Sequence, residues 1–217
     1  MTYRWRGTDD PSRLDSAVVS FRESELAASG TSDCDGYRLR WSLQTDTGWV
    51  TRRMLVEVQG DGWSRSLELS RSAFGRWTAE VDEKGAPDLP PAGIDDLTAL
   101  DNAQDVDLGL CPLTNTMPML RLDLLGDSAP ADDTKLTMAW IEVPSLRVVA
   151  SEQVYTQVKP WTEDRGHALV LFSSTASGFT TELPVDRHGV VLDYPGLAER
   201  TTPVPAGAPL KGAGLFA

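Results

Sequence analysis

A short segment of the chain, "DVDLGLCPLTNT" at residues 105–116, combines two carboxylates with a thiol, an amide and hydroxyls. A carboxylate pair such as Asp105 and Asp107 can perform acid–base catalysis or bind a metal ion. Calcium loops gather several more oxygen ligands around a glycine, whereas only these two acids precede Gly109. Alternation of the acids with aliphatic residues favours a solvated strand face. We therefore predict that the pair is neither catalytic nor a tight metal site.

The following residues, "CPLTNTMP" at 111–118, are typical of a connection with two prolines. Short polar side chains such as those of Asn115 and Thr116 commonly bond local backbone in turns. The same segment would contact a ligand if it lay at the mouth of a cavity. Asn115 is therefore a candidate ligand-binding residue.

One arginine occupies a position at which the alternating pattern of its segment otherwise has apolar residues. In "VTRRMLVEV" (residues 50–58), Arg52 shares its phase with Met54 and Val56, which predicts an inward orientation. A buried cation needs a partner, and Glu152 holds a nearly corresponding position in a later segment. The two residues form a structural ion pair, or they lie at strand ends that reach solvent, or they bind a ligand headgroup.

Trp41, Trp140 and Tyr155 occupy apolar phases of three different segments. Core packing explains such residues, and the faces of the same rings can stack on sugars. We therefore count Trp41, Trp140 and Tyr155 with Arg52, Glu152 and Asn115 as candidate ligand-binding residues.

Catalysis is the second hypothesis, as a hydrolase-like enzyme with an unrecognised site. The chain has only two histidines, His167 and His188, and both border predicted turns. It contains no GxSxG elbow, phosphate-binding glycine loop or HExxH motif. An interaction protein without a ligand is the third hypothesis, and an exposed apolar patch would indicate it.

The elements that must position these residues are strands. Apolar and polar residues alternate in "YRLRWSL", "WSRSLEL", "KLTMAWIEV", "LRVVASEQVYTQV", "HALVLFS" and "FTTELPV", and turn residues follow about every ten positions. The sequence therefore predicts an all-β protein.

The alternation also repeats along the chain. "RSLELSRSAFGRWTAEV" resembles "HALVLFSSTASGFTTEL", with Trp77 matching Phe179, and Trp41 similarly matches Trp140. We predict tandem halves at about 14–110 and 118–197, each an antiparallel meander. Two such sheets hide their faces and edges by closing into a barrel-like or strongly curved sheet with an internal cavity.

Several motifs together resemble the bacterial putative glycolipid-binding family. They are "YRWRG", "DVDLGLCPLTNTMPMLRLDL", "VYTQV" and "FTTELPVDRHGVVLDYPGLAER", and they extend the resemblance over most of residues 1–200. The resemblance implies a duplicated β-rich fold with a cavity for a lipid-like ligand, and it brings no catalytic set. Cys111 before Pro112 departs from the expected pattern, which argues against a functional thiol there.

The amino-acid composition limits the classes of partner that the protein is expected to bind. With 20 basic against 32 acidic residues the net charge is −12, which argues against binding nucleic acid or anionic membrane surfaces. No signal peptide or membrane-spanning run is visible, so we expect a cytoplasmic location without stable membrane insertion. Residues 201–217 are rich in Pro, Gly and Ala, which predicts a flexible tail.

We therefore predict a single β-rich domain over residues 1–200 that binds an apolar or amphiphilic, glycolipid-like small molecule in a β-barrel cavity. We expect it to need no cofactor and no metal.

Overall fold

A computed structural model of the chain describes residues 1–175 and 177–201. Strands account for 54% of these described residues, so the all-β prediction is confirmed. The predicted flexible tail lies, beyond Thr201, outside the described residues. One short α-helix, α1 (Thr116–Arg121), and two 3-10 turns, Thr98–Leu100 and Pro112–Asn115, complete the helical structure of the described part.

Nine strands form the first sheet. They are β1 (Thr2–Gly7), β2 (Leu14–Arg22), β3 (Glu25–Cys34), β4 (Tyr37–Thr45), β5 (Thr51–Gly60), β6 (Trp63–Arg71), β7 (Trp77–Lys84), β14 (Asp193–Tyr194) and β15 (Ala198–Arg200). Their order across the sheet is β14-β15-β1-β2-β3-β4-β5-β6-β7. The alternation of apolar and polar residues matches their burial. In β4, Leu39, Trp41 and Leu43 are buried, while Arg38 and Arg40 are exposed.

The second sheet is an antiparallel meander extended by two parallel strands. Its order is β13-β12-β11-β10-β9, with β9 parallel to β10, and the short β8 pairs in parallel with β11. The strands are β8 (Gly93–Ile94), β9 (Asp105–Leu108), β10 (Thr134–Ile141), β11 (Arg147–Lys159), β12 (Ala168–Ser174) and β13 (Phe179–Val185).

Neither sheet closes on itself within the described residues, so the predicted β-barrel is wrong. The first sheet ends at β7 and β14, and the second ends at β13 and β9. Most of β7 is exposed, and four of its last five side chains, those of Glu80 and of residues 82–84, are charged. Charged residues on an edge strand discourage further pairing, so the edge is protected without closure.

The two meanders share a strand order, although they differ in burial. Trp41 and Trp140 lie in the first strands of β4–β7 and β10–β13, and Trp77 and Phe179 begin the last strands. However, Trp77 is 2% exposed and Phe179 is 36% exposed, and β14 of the predicted second half pairs in the first sheet. The tandem duplication stays a prediction, which superposition of the two meanders tests.

One face of the second sheet packs with the first sheet in a shared core. Val106, Ala139 and Val148 are fully buried in the same apolar cluster as Trp5 and Met54 of the first sheet. Val106 and Ala139 lie side by side in the parallel ladder. Their neighbours in sequence, among them Asp105 and Asp107, therefore point to the opposite face.

A buried ion pair fixes β9 to the helix. Arg121, at the C-terminus of α1, contacts both carboxylate oxygens of Asp105 at 2.6 Å. The Asp105 side chain is 1% exposed, and burial raises its pKa while the Arg121 guanidinium lowers it.

We predict that Arg121→Met lowers the free energy of unfolding by about 3–5 kcal/mol, because it leaves a buried carboxylate without its partner. Urea denaturation measures the change. Arg53→Met is the matched control, since Arg53 pairs with Glu68 on the exposed surface, and its midpoint should move little. A small loss in Arg121→Met, similar to that of the control, would contradict the structural role of this pair.

Candidate ligand-binding cavity

A cavity of about 910 Å³ lies against the face of the second sheet that carries Asp105 and Asp107. The register places Asp107, Trp140 and Val149 side by side across β9, β10 and β11, and all three line the cavity. Residues 108–111 and 194–197 also line it. The cavity therefore lies between one sheet face and several chain segments, at 108–111, 142–145 and 194–197 among others, rather than inside a barrel.

The lining is mainly apolar and aromatic, with a smaller polar share. Its aromatic side chains are Trp140, Phe172, Phe179 and Tyr194, and its carboxylates are Asp107 and Glu142. Its amide and hydroxyl groups come from Asn115, Ser145, Ser151, Gln153, Ser174 and Ser177. Every positively charged side chain of the described residues lies outside this lining. Cavities of this volume and composition are typical of small-molecule sites.

The two acids of β9 are not on a solvated face, so this part of the sequence interpretation is wrong. Asp105 is fully buried, and Asp107 keeps accessible surface at the cavity wall. The reason is that β9 joins the second sheet as a parallel strand and both of its faces meet protein. One face contributes to the core with the first sheet, and the other meets α1, β11 and the cavity.

Asp107 begins a hydrogen-bond network in the cavity wall. Its Oδ1 accepts from the Thr114 hydroxyl at 2.8 Å, and its Oδ2 accepts from Gln153 Nε2 at 2.7 Å. The hydroxyl of Tyr155, fully buried behind the wall, lies 2.9 Å from Gln153 Oε1 and 2.9 Å from Asn115 Oδ1. Five side chains from β9, β11 and the turn before α1 are thereby joined.

Burial controls the protonation of this region. It raises the pKa of Asp107, while hydrogen bonds from Gln153 and Thr114 lower it and the nearby Asp105 carboxylate raises it further. Burial likewise raises the pKa of the Tyr155 hydroxyl well above its ordinary value, so this hydroxyl stays a donor at neutral pH. The pKa of the Cys111 thiol rises to about 12, mainly through burial, which makes the thiol a poor nucleophile.

Three of the residues predicted from the sequence come together here. Asn115 and Trp140 line the cavity, and Tyr155 supports Asn115 from behind through its hydroxyl. Asn115 lies in a 3-10 turn rather than an open loop, and it is 4% exposed. A ligand role for the three residues stays a prediction.

The other three predicted residues lie elsewhere. The inward orientation predicted for Arg52 is wrong, because a β-bulge pairs Thr45 with Thr51 and Gln44 with Arg53 and leaves Arg52 outside the ladder. The Arg52 side chain is 65% exposed, 4.0 Å from the Asp46 carboxylate.

Glu152 is also exposed, because it falls in the phase of β11 opposite to Gln153 and Tyr155. An ion pair between Arg52 and Glu152 is therefore wrong, whereas the alternative that both residues reach solvent agrees with their exposure. Trp41 is buried in the core and lines a separate cavity of only about 20 Å³, together with Cys34 and Cys111. Neither cysteine forms a disulfide.

Gln153 was not among the residues predicted from the sequence, and Asp107 was expected on a solvated strand face. The sequence did contain a signal for Gln153. Ser151, Gln153 and Tyr155 stand at every second position of β11, and the residues between and around them are also partly apolar. A polar phase next to a buried tyrosine indicates an internal hydrogen-bond network.

Among residues 1–175 and 177–201, no helix is long and apolar enough to cross a membrane. The same residues hold no cluster of three or more His, Cys, Asp or Glu side chains arranged for a metal ion.

The fold and cavity define a two-sheet β protein with a site of small-molecule size beside its second sheet. The profile of the family described as "putative glycolipid-binding" matches residues 2–200, and the chain belongs to this family. It is similar to the crystal structure of a DUF1089 family protein from Pseudomonas aeruginosa, with 26% identity and a TM-score of 0.63. That similarity covers 86% of this chain and 92% of the other. No curated protein sequence matches the chain.

We predict that Asp107→Asn stabilises the protein as pH rises. A raised pKa means that the folded protein holds this proton more tightly than the unfolded chain does, so stability falls between the unfolded pKa of about 3.9 and the folded pKa. The asparagine removes this cost and keeps the site neutral. The melting temperature of the variant should match that of the wild type at about pH 4 and exceed it at about pH 7.

Thermal melts across that range provide the measurement, with Asp61→Asn in an exposed turn as control. Asp105 is present in all three proteins, so its own titration cancels. A difference between Asp107→Asn and the wild type that stays constant with pH would show that Asp107 does not titrate as described.

Proposed function

We propose that the protein binds an amphiphilic, glycolipid-like small molecule in the cavity of the second sheet. The observation that carries the proposal is the 910 Å³ cavity, whose wall joins an aromatic region to a buried polar network. Its volume falls within the roughly 300–1,000 Å³ of ordinary ligand sites. The family name supports the same function.

The aromatic region supplies the apolar part of the site. Phe172, Phe179 and Tyr194 contact one another, with ring centroids 5.9–6.4 Å apart. Phe179 and Tyr194 are stacked at an interplanar angle of 12°. Such rings bury a large apolar area with little loss of side-chain freedom, which suits an alkyl or acyl chain.

The polar part lies along β9 and β11. Asp107, Asn115 and Gln153 contribute carboxylate and amide groups, and Trp140 is the direct neighbour of Asp107 in the ladder. Apolar walls with a few fixed polar groups orient a ligand that has two chemically different ends. We assign the headgroup to this end and the chain to the aromatic end.

The cytoplasmic location inferred from the sequence stays part of this proposal. Both cysteines are free thiols, as is usual in reducing compartments.

The proposal predicts saturable binding of N-phenyl-1-naphthylamine, an uncharged apolar fluorophore, to the wild-type protein. Ser174→Trp places an indole at the cavity wall, and it should weaken binding by about tenfold or more because the space is filled. Gln59→Trp, on an exposed position of β5, is the matched control and should bind as the wild type does. The absence of saturable binding, or equal affinities in all three proteins, would refute the proposed site.

A further inference from the structure

The network behind the cavity has more acceptors than protons. Asn115 Oδ1 and Gln153 Oε1 both lie 2.9 Å from the Tyr155 hydroxyl, which has a single hydrogen to donate. In the described part of the chain, neither oxygen has another donor within hydrogen-bond distance. Asn115 and Gln153 are only 4% and 2% exposed, and both line the cavity. One buried amide oxygen at the cavity wall therefore lacks a donor from the protein.

Turning over the Asn115 amide does not remove the deficit. Its Nδ2 would then donate to the Tyr155 hydroxyl, and that hydroxyl would donate to Gln153 Oε1. Asn115 Oδ1 would instead face the Pro112 carbonyl oxygen, which now lies 3.5 Å from Nδ2 and offers no proton. Gln153 is held in place because its Nε2 donates to the Asp107 carboxylate at 2.7 Å. While Asp107 is ionised, one oxygen needs a donor from the cavity in either arrangement.

The charges of the cavity lining favour a ligand that donates hydrogen bonds and carries no negative charge. Asp107 and Glu142 are carboxylates at the wall, and the described lining residues include no Arg, Lys or His. An anionic headgroup would lose its hydration and meet like charge without a cationic partner. A hydroxyl-rich headgroup would donate hydrogen bonds to these oxygens, and it has no charged group that would lose its hydration.

Resting on the proposed function, we propose that the Asp107–Asn115–Gln153 end of the cavity is a subsite for an uncharged, polyhydroxylated headgroup, such as a glycosyl group, and excludes phosphate, sulfate and carboxylate headgroups. Its defining contact is a ligand hydroxyl that donates to the amide oxygen left over by Tyr155. Trp140, beside Asp107, provides an aromatic wall for the ring of such a headgroup.

Competition between two amphiphiles with the same chain tests the subsite. Octyl β-glucoside and octyl sulfate, both kept below their micelle-forming concentrations, are titrated separately into the wild-type protein with bound N-phenyl-1-naphthylamine, and the displacement of the fluorophore is measured. The glucoside should displace the fluorophore at a concentration lower by about tenfold or more.

Variants separate the subsite from the general effect of the negative net charge. Asn115→Leu has nearly the same size and charge as the wild type but lacks the amide. It should weaken the glucoside by about fivefold, while the fluorophore and octyl sulfate keep their affinities. Asp107→Asn should also weaken the glucoside, because its amide lets Gln153 turn over, donate to Tyr155 and satisfy every oxygen within the protein.

Two further proteins complete the design. Tyr155→Phe leaves both amide oxygens without a donor, so the glucoside should bind at least as tightly as in the wild type. This variant tests the count of donors even if Asn115→Leu fails to fold. Glu57→Gln removes an exposed carboxylate of the first sheet and should change nothing.

The outcomes distinguish this subsite from the proposed function. If the fluorophore does not bind, both are wrong. If it binds but the two amphiphiles displace it equally well, or the sulfate does so more strongly, the subsite is wrong and the cavity proposal stands. Loss of glucoside affinity in Tyr155→Phe would also overturn the subsite.

Discussion

The structure depends on the enclosure of two carboxylates on one short strand. β9 pairs in parallel with β10, and this position buries Asp105 fully and leaves Asp107 only partly exposed, at the cavity wall. Buried carboxylates are costly without partners, so the surrounding chain must supply them. Arg121 from α1 neutralises Asp105, and Gln153 and Thr114 donate to Asp107. The position of α1, the polar phase of β11 and the composition of the cavity wall all follow from this requirement.

The two acids serve different ends although they are two residues apart. Asp105 has a cation and lies away from the cavity, so its pair fastens the helix to the sheet. Asp107 has only neutral donors and faces the cavity, where it fixes the orientation of the Gln153 amide. That orientation leaves Tyr155 with two acceptors for one proton. The donor deficit, and with it the preference for a hydroxyl-bearing ligand, thus originates at Asp107.

Local patterning accounts for how much of the fold could be predicted. Period-2 alternation is encoded within each strand, so the strands, including the positions of Trp140 and Tyr155, could be predicted from short segments. The pairing of β9 with β10 joins residues more than thirty positions apart, and no local pattern specifies it. Polar residues at every second position of a strand give the same sequence pattern whether their side chains meet water or a buried partner. For this reason Asp107 was predicted on a solvated face. For Arg52 the error came from a single bulge, because one extra residue reverses the phase of a strand.

The most direct test is a crystal structure of the protein with octyl β-glucoside. The sugar should lie beside Trp140, with one of its hydroxyls within hydrogen-bond distance of Asn115 or Gln153, and the octyl chain should lie against Phe172 and Phe179. An inverted ligand with its alkyl chain against Asp107, or a glucoside bound only outside the cavity, would overturn the proposed orientation.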